Sequence, residues 1–281
     1  MLRSQTKDVR RKHRTRLKED IMLKGRNAVV TGSTSGIGEG VARALAAQGA
    51  NIMLNGFGDA AAIEKLRAEL AAKHGVQVFY NPADLSKPAE CAALIADAEK
   101  RLGSVDILVN NAGIQHVAPV DEFPTEKWDL IIAINLSSAF HTIHAALPGM
   151  KKRGYGRIIN TGSTHGLVAS ANKVAYVAAK HGIVGMTKVV ALETATTGIT
   201  CNAICPGWVL TPLVQKQIDA RAAEGKIDIK TAEHNLLAEK QPSLRFTKVE
   251  DIGGVAVFLC SPAAQNITGI SLPVDGGWTA Q

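Results

Sequence analysis

The sequence predicts an α/β fold, a single doubly wound domain in which helices cover both faces of a seven-stranded, mostly parallel sheet. Short runs rich in Val, Ile and Leu alternate along the chain with longer stretches of helical composition. Most of the short runs are apolar throughout, which is typical of strands buried on both faces of a parallel sheet. Strands and helices that alternate in this way form right-handed βαβ units.

Each element follows from this alternation. Strands are predicted at 27–33, 51–55, 76–80, 105–110, 156–163, 200–207 and 270–277. Helices are predicted between them at 36–48, 59–74, 86–102, 125–150 and 174–196. Residues 208–247 break the pattern because they are richer in charge and contain two predicted helices, 212–223 and 229–239. We interpret them as a small helical lid, since they follow the carboxyl end of a strand, where such sheets bind ligands. The alternative is that residues 208–247 form an ordinary surface insertion with no role at the site.

Composition and charge limit the function classes. The chain has 281 residues, of which 46% are hydrophobic, and no apolar run approaches the roughly 20 residues of a membrane span. Of the net charge of +7, residues 1–21 carry +5, from eight Lys or Arg and three Asp or Glu. We interpret residues 1–21 as a basic, disordered extension and residues 22–281 as the folded domain. Nucleic-acid binding and targeting by the extension are the alternatives.

Four cysteines do not make a disulfide framework in a chain of this size, which favours a reducing compartment and a cytoplasmic location. Cys201 and Cys205 lie four apart on a predicted strand, with no second pair of ligands nearby. We therefore interpret both as buried apolar residues and predict no metal site.

A glycine-rich turn follows the first predicted strand and opens a helix. In TGSTSGIGEG the spacing of Gly32, Gly36 and Gly38 is G-x-x-x-G-x-G. Glycine lets the turn bend and lets a pyrophosphate approach the backbone, while the helix N-terminus supplies free N–H groups. The turn therefore predicts a nucleotide cofactor.

A second group of residues predicts proton and hydride transfer. Tyr176 and Lys180 are four apart, which places them on one face of a helix. Tyrosine has a pKa of about 10, and a nearby ammonium would favour its phenolate. Tyr176 can then take a hydroxyl proton while a hydride leaves the same carbon. Ser163, at the end of a strand, can hydrogen-bond the substrate oxygen.

These motifs resemble the short-chain dehydrogenase/reductase family over residues 23–281. The resemblance adds ADLS (83–86), NNAG (110–113), Asn135 in INLSSAF, YVAAK (176–180) and PGWVLTP (206–212). It implies a Rossmann fold, a nicotinamide cofactor, a cleft lined by NNAG, and a proton-relaying water held by Asn135. The cofactor contacts that it implies, together with the glycine turn, are Gly32, Ser33, Thr34, Ser35, Gly36, Ile37, Gly38, Phe57, Asp84, Leu85, Asn111, Ala112, Gly113, Tyr176, Lys180, Pro206, Gly207, Val209 and Thr211.

The end of the second strand favours NAD over NADP. Many NAD-using family members carry an acidic residue there, but this chain reads LNGFG, with Asn55, Gly56 and Phe57. Nothing basic is present to receive a 2′-phosphate, and Ser35 in the glycine turn is not basic either. An uncompensated phosphate dianion is costly to bind, so we predict NAD.

The remaining polar residues predict a small anionic substrate, because a carboxylate is best held by several donors and a cation. The predicted substrate contacts are Gln115, His165, Lys173 and Gln217, with Trp208 and Trp278 as walls. For three of these residues a structural role is the alternative to substrate contact: Lys173 as a solvated surface lysine, Gln217 as an exposed residue of the lid and Trp278 as a subunit contact. These residues resemble most closely a bacterial subgroup that interconverts (R)-3-hydroxybutyrate and acetoacetate, which implies a homotetramer.

Two other functions remain as alternatives. A 3-oxoacyl thioester reductase uses the same fold and the same serine, tyrosine and lysine. It would need an open groove for a pantetheine arm and a basic group for NADPH, and the bulky Trp208 argues against it. The second alternative is a nucleotide-binding regulatory module that binds nucleic acid through residues 1–21. Such a module would be expected to lack some of the catalytic residues, whereas Ser163, Tyr176 and Lys180 are all present.

Overall fold

A computed structural model describes residues 21–281, so all but the last residue of the predicted basic extension lies outside the described residues. Seven strands form one sheet in the order β3-β2-β1-β4-β5-β6-β7. They are β1 (Asn27–Val30), β2 (Asn51–Asn55), β3 (Val78–Asn81), β4 (Ile107–Asn110), β5 (Gly156–Thr161), β6 (Ile199–Pro206) and β7 (Ser271–Val274). All neighbouring strands are parallel, so the predicted doubly wound sheet is confirmed, and it is parallel throughout rather than mostly.

The helices alternate with the strands as predicted, with two differences. They are α1 (Gly36–Ala47), α2 (Ala60–His74), α3 (Pro88–Leu102), α4 (Thr125–Ile132), α5 (Ser138–Arg153), α6 (Val174–Thr194), α7 (Pro212–Gly225), α8 (Ile229–Ala238) and α9 (Val249–Cys260). The predicted helix 125–150 is interrupted by a π-helical turn, Ala133–Ser137. Helix α9 was not predicted, because its glycines disfavour a helix on local grounds. Gly253 lies against α1, where an added Cβ would be 2.8 Å from Ala44 Cβ.

The core lies on both faces of the sheet, and β2 shows why its strands are apolar throughout. Ile52 and Leu54 belong to the cluster under α1 and α9, while Met53 between them belongs to the cluster under α3 and α5. Successive strand residues point to opposite faces, so a doubly covered strand needs an apolar residue at every position. All four cysteines are free and buried, which confirms the interpretation of Cys201 and Cys205.

Within the described residues, Thr125–Arg153 is the one helical stretch long and apolar enough, by length and composition alone, to cross a membrane. Its inner side belongs to the fold, because Ile143, Ala146 and Met150 pack in the same cluster as Leu94 of α3. We therefore interpret α4 and α5 as core-covering helices of the α/β domain.

The functional site is positioned by two features of the fold. The strand order reverses at β1, where β2 lies on one side and β4 on the other, and open α/β sheets bind ligands outside the carboxyl ends of the strands at such a point. Helices α7 and α8 stand beyond the carboxyl end of β6 and form a small apolar cluster of their own, which includes Ile218 and Leu236. Both helices were predicted, and their role as a lid stays a prediction.

Candidate active site

A cavity of about 450 Å³ lies at the carboxyl ends of the strands, between the turn after β1 and helix α7. This volume falls in the range of cofactor and ligand pockets. Most of the predicted site residues line it, including Ser163, Tyr176 and Lys180 and all six predicted substrate contacts. The predicted residues that do not line it are Ser33, Gly38, Asn110 and Asn135.

The glycine turn is shaped by close backbone contacts. Gly32 and Gly36 have φ angles of 60° and 59°, in the left-handed region that glycine adopts without strain. A Cβ added at Gly38 would lie 2.2 Å from the carbonyl oxygen of Gly32, so only glycine fits there. Ser33 is fully buried, and its hydroxyl accepts the backbone N–H of Asn55 at 3.0 Å. Gly38 and Ser33 therefore set the form of the turn rather than line the cavity.

Gly38→Ala is expected to abolish cofactor binding, because the added methyl group would have to displace the turn. Titration of the protein with the reduced cofactor, followed by nicotinamide fluorescence, measures this loss. Gly254→Ala on α9 is the matched control, since no atom lies within 4 Å of its added Cβ. We expect the control to bind cofactor as the wild type does and to be more stable by about 0.5–1 kcal/mol, the usual gain from Gly to Ala in a helix. Tight binding by Gly38→Ala would contradict the steric account.

The NNAG segment divides between cavity wall and support. Asn111 lines the cavity, and its side-chain amide donates to the carbonyl oxygens of Thr31 and Gly32, both at 3.1 Å. Asn110 lies beneath, where it donates to Asn160 at 2.9 Å and accepts the Thr142 hydroxyl at 2.6 Å. The expectation that Asn110 also lines the cleft is therefore wrong, because its amide is used to join β4 to β5 and α5.

Sequence reasoning missed the structural role of Asn55, which it treated only as the place of a missing acid. The Asn55 side-chain amide donates to the carbonyl oxygens of Asn81 at 3.1 Å and Ala83 at 3.0 Å. Its oxygen accepts the backbone N–H of Gly32 at 3.4 Å. A single buried amide thus joins β2, β3 and the glycine turn.

At the far end of the cavity, no basic side chain lines the wall within the described part of the chain. Phe57 is 68% exposed there, and its carbonyl accepts the Thr34 hydroxyl at 2.8 Å. Asp84 is the ionisable group at this end. Hydrogen bonds from Ser86 hold the pKa of its carboxyl below the usual value, with a further contribution from Lys87. Lys87, which does not line the cavity, pairs with Asp84 at 3.4 Å, so the cavity wall itself carries a carboxylate and no cation at this end.

The reacting end combines strand β5 and helix α6. Lys180 is buried, its Nζ donates to the carbonyl oxygen of Thr161 at 2.6 Å, and burial lowers its pKa to about 8. Burial raises the pKa of Tyr176, and a hydrogen bond with Ser163 acts in the opposite direction. Lys180 Nζ lies 5.5 Å from the centroid of the Tyr176 ring while it donates to Thr161. That Lys180 and an oxidised nicotinamide together favour the phenolate stays a prediction.

Asn135 lies in the π-helical turn and is buried. Its side-chain oxygen accepts the backbone N–H of Ile114 at 2.8 Å, and its nitrogen donates to the carbonyl oxygen of Ile114 at 2.9 Å. The side chain therefore fixes the loop that carries Gln115. The water relay that the family resemblance implied for Asn135 stays a prediction.

Aromatic rings enclose the substrate end. The ring centroids of Trp208 and Trp278 are 5.9 Å apart, and the His165 ring lies edge-on to Trp278 at 5.5 Å and to Tyr176 at 5.8 Å. Lys173 Nζ lies 5.6 Å from the centroid of the Trp208 ring. Lys173 is half-buried, and burial, followed by the charge of Arg221, lowers its pKa. It is therefore not a solvated surface lysine, and its partial burial leaves it suited to pair with an anion.

Two buried side chains that sequence reasoning missed hold the tryptophans. Asp275 accepts the backbone N–H of Thr279 at 2.9 Å and of Gly277 at 3.0 Å, which fixes the turn that carries Trp278. Gln241 accepts the backbone N–H of Trp208 at 2.9 Å. Neither role can be recognised from the neighbouring sequence. Gln241 contacts a backbone group 33 residues away, and Asp275 acts within a turn that only the fold defines.

A family model described as enoyl-(acyl carrier protein) reductase matches residues 32–279. The chain belongs to the short-chain dehydrogenase/reductase family. As a member of this family it is an oxidoreductase that needs a nicotinamide cofactor and acts on a small molecule.

Relatives within the family are similar over nearly their whole length. D-beta-hydroxybutyrate dehydrogenase of Cupriavidus necator is 62% identical over 92% of this chain and 100% of the relative. The enzyme of the same name from Rhizobium meliloti is 53% identical over 91% of this chain and 99% of the relative. Among solved structures, L-sorbose reductase from Gluconobacter frateurii, complexed with NADPH and L-sorbose, has a TM-score of 0.89 at 30% identity. That match covers 93% of this chain and 99% of the other.

Proposed function

We propose that this short-chain dehydrogenase/reductase oxidises (R)-3-hydroxybutyrate to acetoacetate, reversibly and with NAD. The observation that carries the proposal is a set of one cation and two amides on the cavity that holds the predicted reacting residues. Lys173 supplies a cation and Gln115 and Gln217 supply amides on the same cavity that holds Ser163 and Tyr176. A carboxylate that accepts these donors is held at a fixed place, so a hydroxyl two carbons away is directed to the reacting end. The names of the two relatives that are 62% and 53% identical support this substrate.

The size of the site favours a short acid over an acyl thioester. The two tryptophan rings, 5.9 Å apart, and the His165 ring close the substrate end on one side. A thioester with a pantetheine arm has no carboxylate at the position that Lys173 faces, and its arm would have to pass these rings. The site therefore fits a small hydroxy acid better than a 3-oxoacyl thioester.

The residues divide the chemistry between them. In oxidation the Tyr176 oxygen takes the proton of the substrate hydroxyl, while Ser163 donates a hydrogen bond to the same oxygen. Lys173 and the two glutamines hold the carboxylate throughout, so they orient the substrate without taking part in bond breaking. When bound, the oxidised nicotinamide cofactor supplies the acceptor for the hydride that leaves the substrate carbon. In the reverse direction the Tyr176 hydroxyl returns the proton to the oxygen of acetoacetate.

The cavity fits the cofactor, and its far end favours NAD. The glycine turn lets a pyrophosphate approach the backbone because Gly32 and Gly36, which line the cavity, have no side chains, and the N-terminus of α1 offers backbone N–H groups. Phe57 and Asp84 supply no cation for a 2′-phosphate, and Asp84 would repel one. An unpaired phosphate at this end is costly, so we propose NAD as the cofactor.

Four features of the protein beyond the reaction belong to the same proposal. We propose a homotetramer, and the apolar side chains exposed on α4, α5 and α6 support an interface, among them Phe140 at 53% and Leu192 at 79% exposure. We propose residues 208–247 as a lid over the substrate and residues 1–21 as an extension outside the catalytic domain, with no role in nucleic-acid binding. A cytoplasmic location is supported by four cysteines that are all unpaired.

The test is the initial rate of NADH formation with (R)-3-hydroxybutyrate, compared with the (S)-enantiomer and with NADP in place of NAD. We expect kcat/KM to be about 100-fold higher for NAD than for NADP, the size expected when one phosphate dianion is left unpaired. A reductase assay with a 3-oxoacyl thioester and NADPH is run beside it. Faster turnover of the thioester than of the hydroxy acid would overturn the proposal.

A further inference from the structure

A chain of three polar side chains leads away from the reacting end of the cavity. Ser163 Oγ lies 3.4 Å from Nδ1 of His165, and Nε2 of the same ring lies 3.0 Å from Oγ of Ser170. Ser170 does not line the cavity that holds Ser163. It lines an adjoining cavity, which shares Lys173 and Trp278 with the first. Ser170 is therefore connected to the reacting end through the buried imidazole ring of His165.

The position of the proton on His165 decides what Ser163 can do. A serine hydroxyl has one hydrogen and two lone pairs, and Ser163 already accepts the backbone N–H of His165 at 3.1 Å. If Nδ1 of the ring carries the proton, it donates to the second lone pair, and the Ser163 hydrogen points to the reacting end, where the Tyr176 oxygen and the substrate oxygen can accept it. If Nε2 carries the proton, Nδ1 accepts the Ser163 hydrogen, and the substrate oxygen faces a lone pair.

The ring has only these two states near neutral pH, because burial lowers the pKa of His165 to about 4 and the imidazole carries a single proton. A Ser170 hydroxyl that donates to Nε2 favours the state with the proton on Nδ1. We propose that Ser170 is a positioning residue that acts through His165 to direct the Ser163 hydroxyl toward the reacting oxygen. This inference deepens the proposed function and rests on it only in taking Ser163 as the donor to the substrate oxygen.

The arrangement also changes the predicted role of His165. Both ring nitrogens are within hydrogen-bonding distance of serine hydroxyls, and the ring is uncharged near neutral pH. In the arrangement that we propose, the single ring N–H is directed to Ser163, so the carboxylate donors are Lys173, Gln115 and Gln217. His165 serves the reacting oxygen through Ser163.

Ser170→Ala is expected to lower kcat about tenfold, which is the worth of one directed hydrogen bond, while KM for the substrate and for NAD stays within about twofold. Ser170→Thr keeps the hydroxyl and should restore kcat. In a His165→Asn background, Ser170→Ala should cause no further loss, because the connection is already broken. Unchanged kcat in Ser170→Ala, a rise in KM alone, or additive losses in the double variant would each overturn the proposal.

A second measurement needs no turnover and separates this inference from the proposed substrate. The ¹⁵N chemical shifts of the His165 ring, assigned by their loss in His165→Asn, report which nitrogen carries the proton. We expect Nδ1–H in the wild type and a shift toward Nε2–H in Ser170→Ala. Nε2–H in the wild type would overturn the inference even if 3-hydroxybutyrate proved to be the substrate. If instead the wild type failed to oxidise 3-hydroxybutyrate, the substrate would be refuted and the ring shifts would still decide the role of Ser170.

Discussion

Tyr176→Phe is expected to lower kcat by about 10²–10⁴-fold, the usual contribution of a positioned general base, while the cofactor still binds. The phenyl ring keeps the edge contact with His165, whose ring centroid lies 5.8 Å away, so the cavity should keep its shape. What the substitution removes is the oxygen that takes the substrate proton. Steady-state rates of NADH formation measure the loss, and titration with NADH measures the retained binding.

Tyr155→Phe is the matched control for this substitution. Tyr155 lies before β5, at the end of the sheet away from the cavity, between the guanidinium groups of Arg26 and Arg157 at 3.6 and 4.5 Å from its ring centroid. Its kcat should stay within about twofold of the wild type, as is usual for a change away from the site. Activity above about 1% in Tyr176→Phe would show that another group accepts the proton.

Lys173→Ala is expected to raise KM for 3-hydroxybutyrate by about 10–100-fold, the range of a charge-assisted hydrogen bond, with little change in KM for NAD. The reason is that Lys173 Nζ is the cation of the substrate end, whereas the cofactor end of the cavity has no contact with it in the proposed arrangement. Initial rates measured at saturating NAD with varied 3-hydroxybutyrate give one KM, and rates at saturating 3-hydroxybutyrate with varied NAD give the other.

Lys216→Ala provides the control for loss of a positive charge on the same side of the molecule. Lys216 is exposed on α7, one residue before Gln217, and does not line the cavity. Its removal should leave both KM values within about twofold of the wild type, because exposed charges are screened by solvent. Equal increases in KM for substrate and for NAD in Lys173→Ala would refute the assignment of this lysine to the carboxylate.

The sheet and most of the site could be predicted because their signals are local. A strand buried on both faces is apolar at every position, as in Ile52, Met53 and Leu54, and this pattern identifies a parallel sheet without any knowledge of its neighbours. Tyr176 and Lys180 are four apart on one helix, so their shared face follows from helix geometry. The interruption of the helix at 133–137 and the glycine-containing helix α9 could not be predicted, because packing against neighbours overrides local preference there.

The supporting residues could not be predicted for a related reason. Asn55, Asp275 and Gln241 act on backbone groups that only the folded chain brings to them, at distances of 2.9–3.4 Å. The direction of the Tyr176 pKa likewise depends on where the Lys180 ammonium turns and on how much the fold buries the ring. Ser170 lies seven residues after Ser163 in the sequence, but its connection to Ser163 depends on the position of the His165 ring, which only the fold defines.

The comparison of (R)-3-hydroxybutyrate with its methyl ester tests most directly the central claim, that a carboxylate held by Lys173 directs a small hydroxy acid to Ser163 and Tyr176. The ester keeps the hydroxyl and nearly the same size but lacks the charge. We expect kcat/KM of the wild type to be about 100-fold lower for the ester, and this difference to shrink to within a few-fold in Lys173→Ala. Equal kcat/KM for the acid and the ester in the wild type would contradict the account.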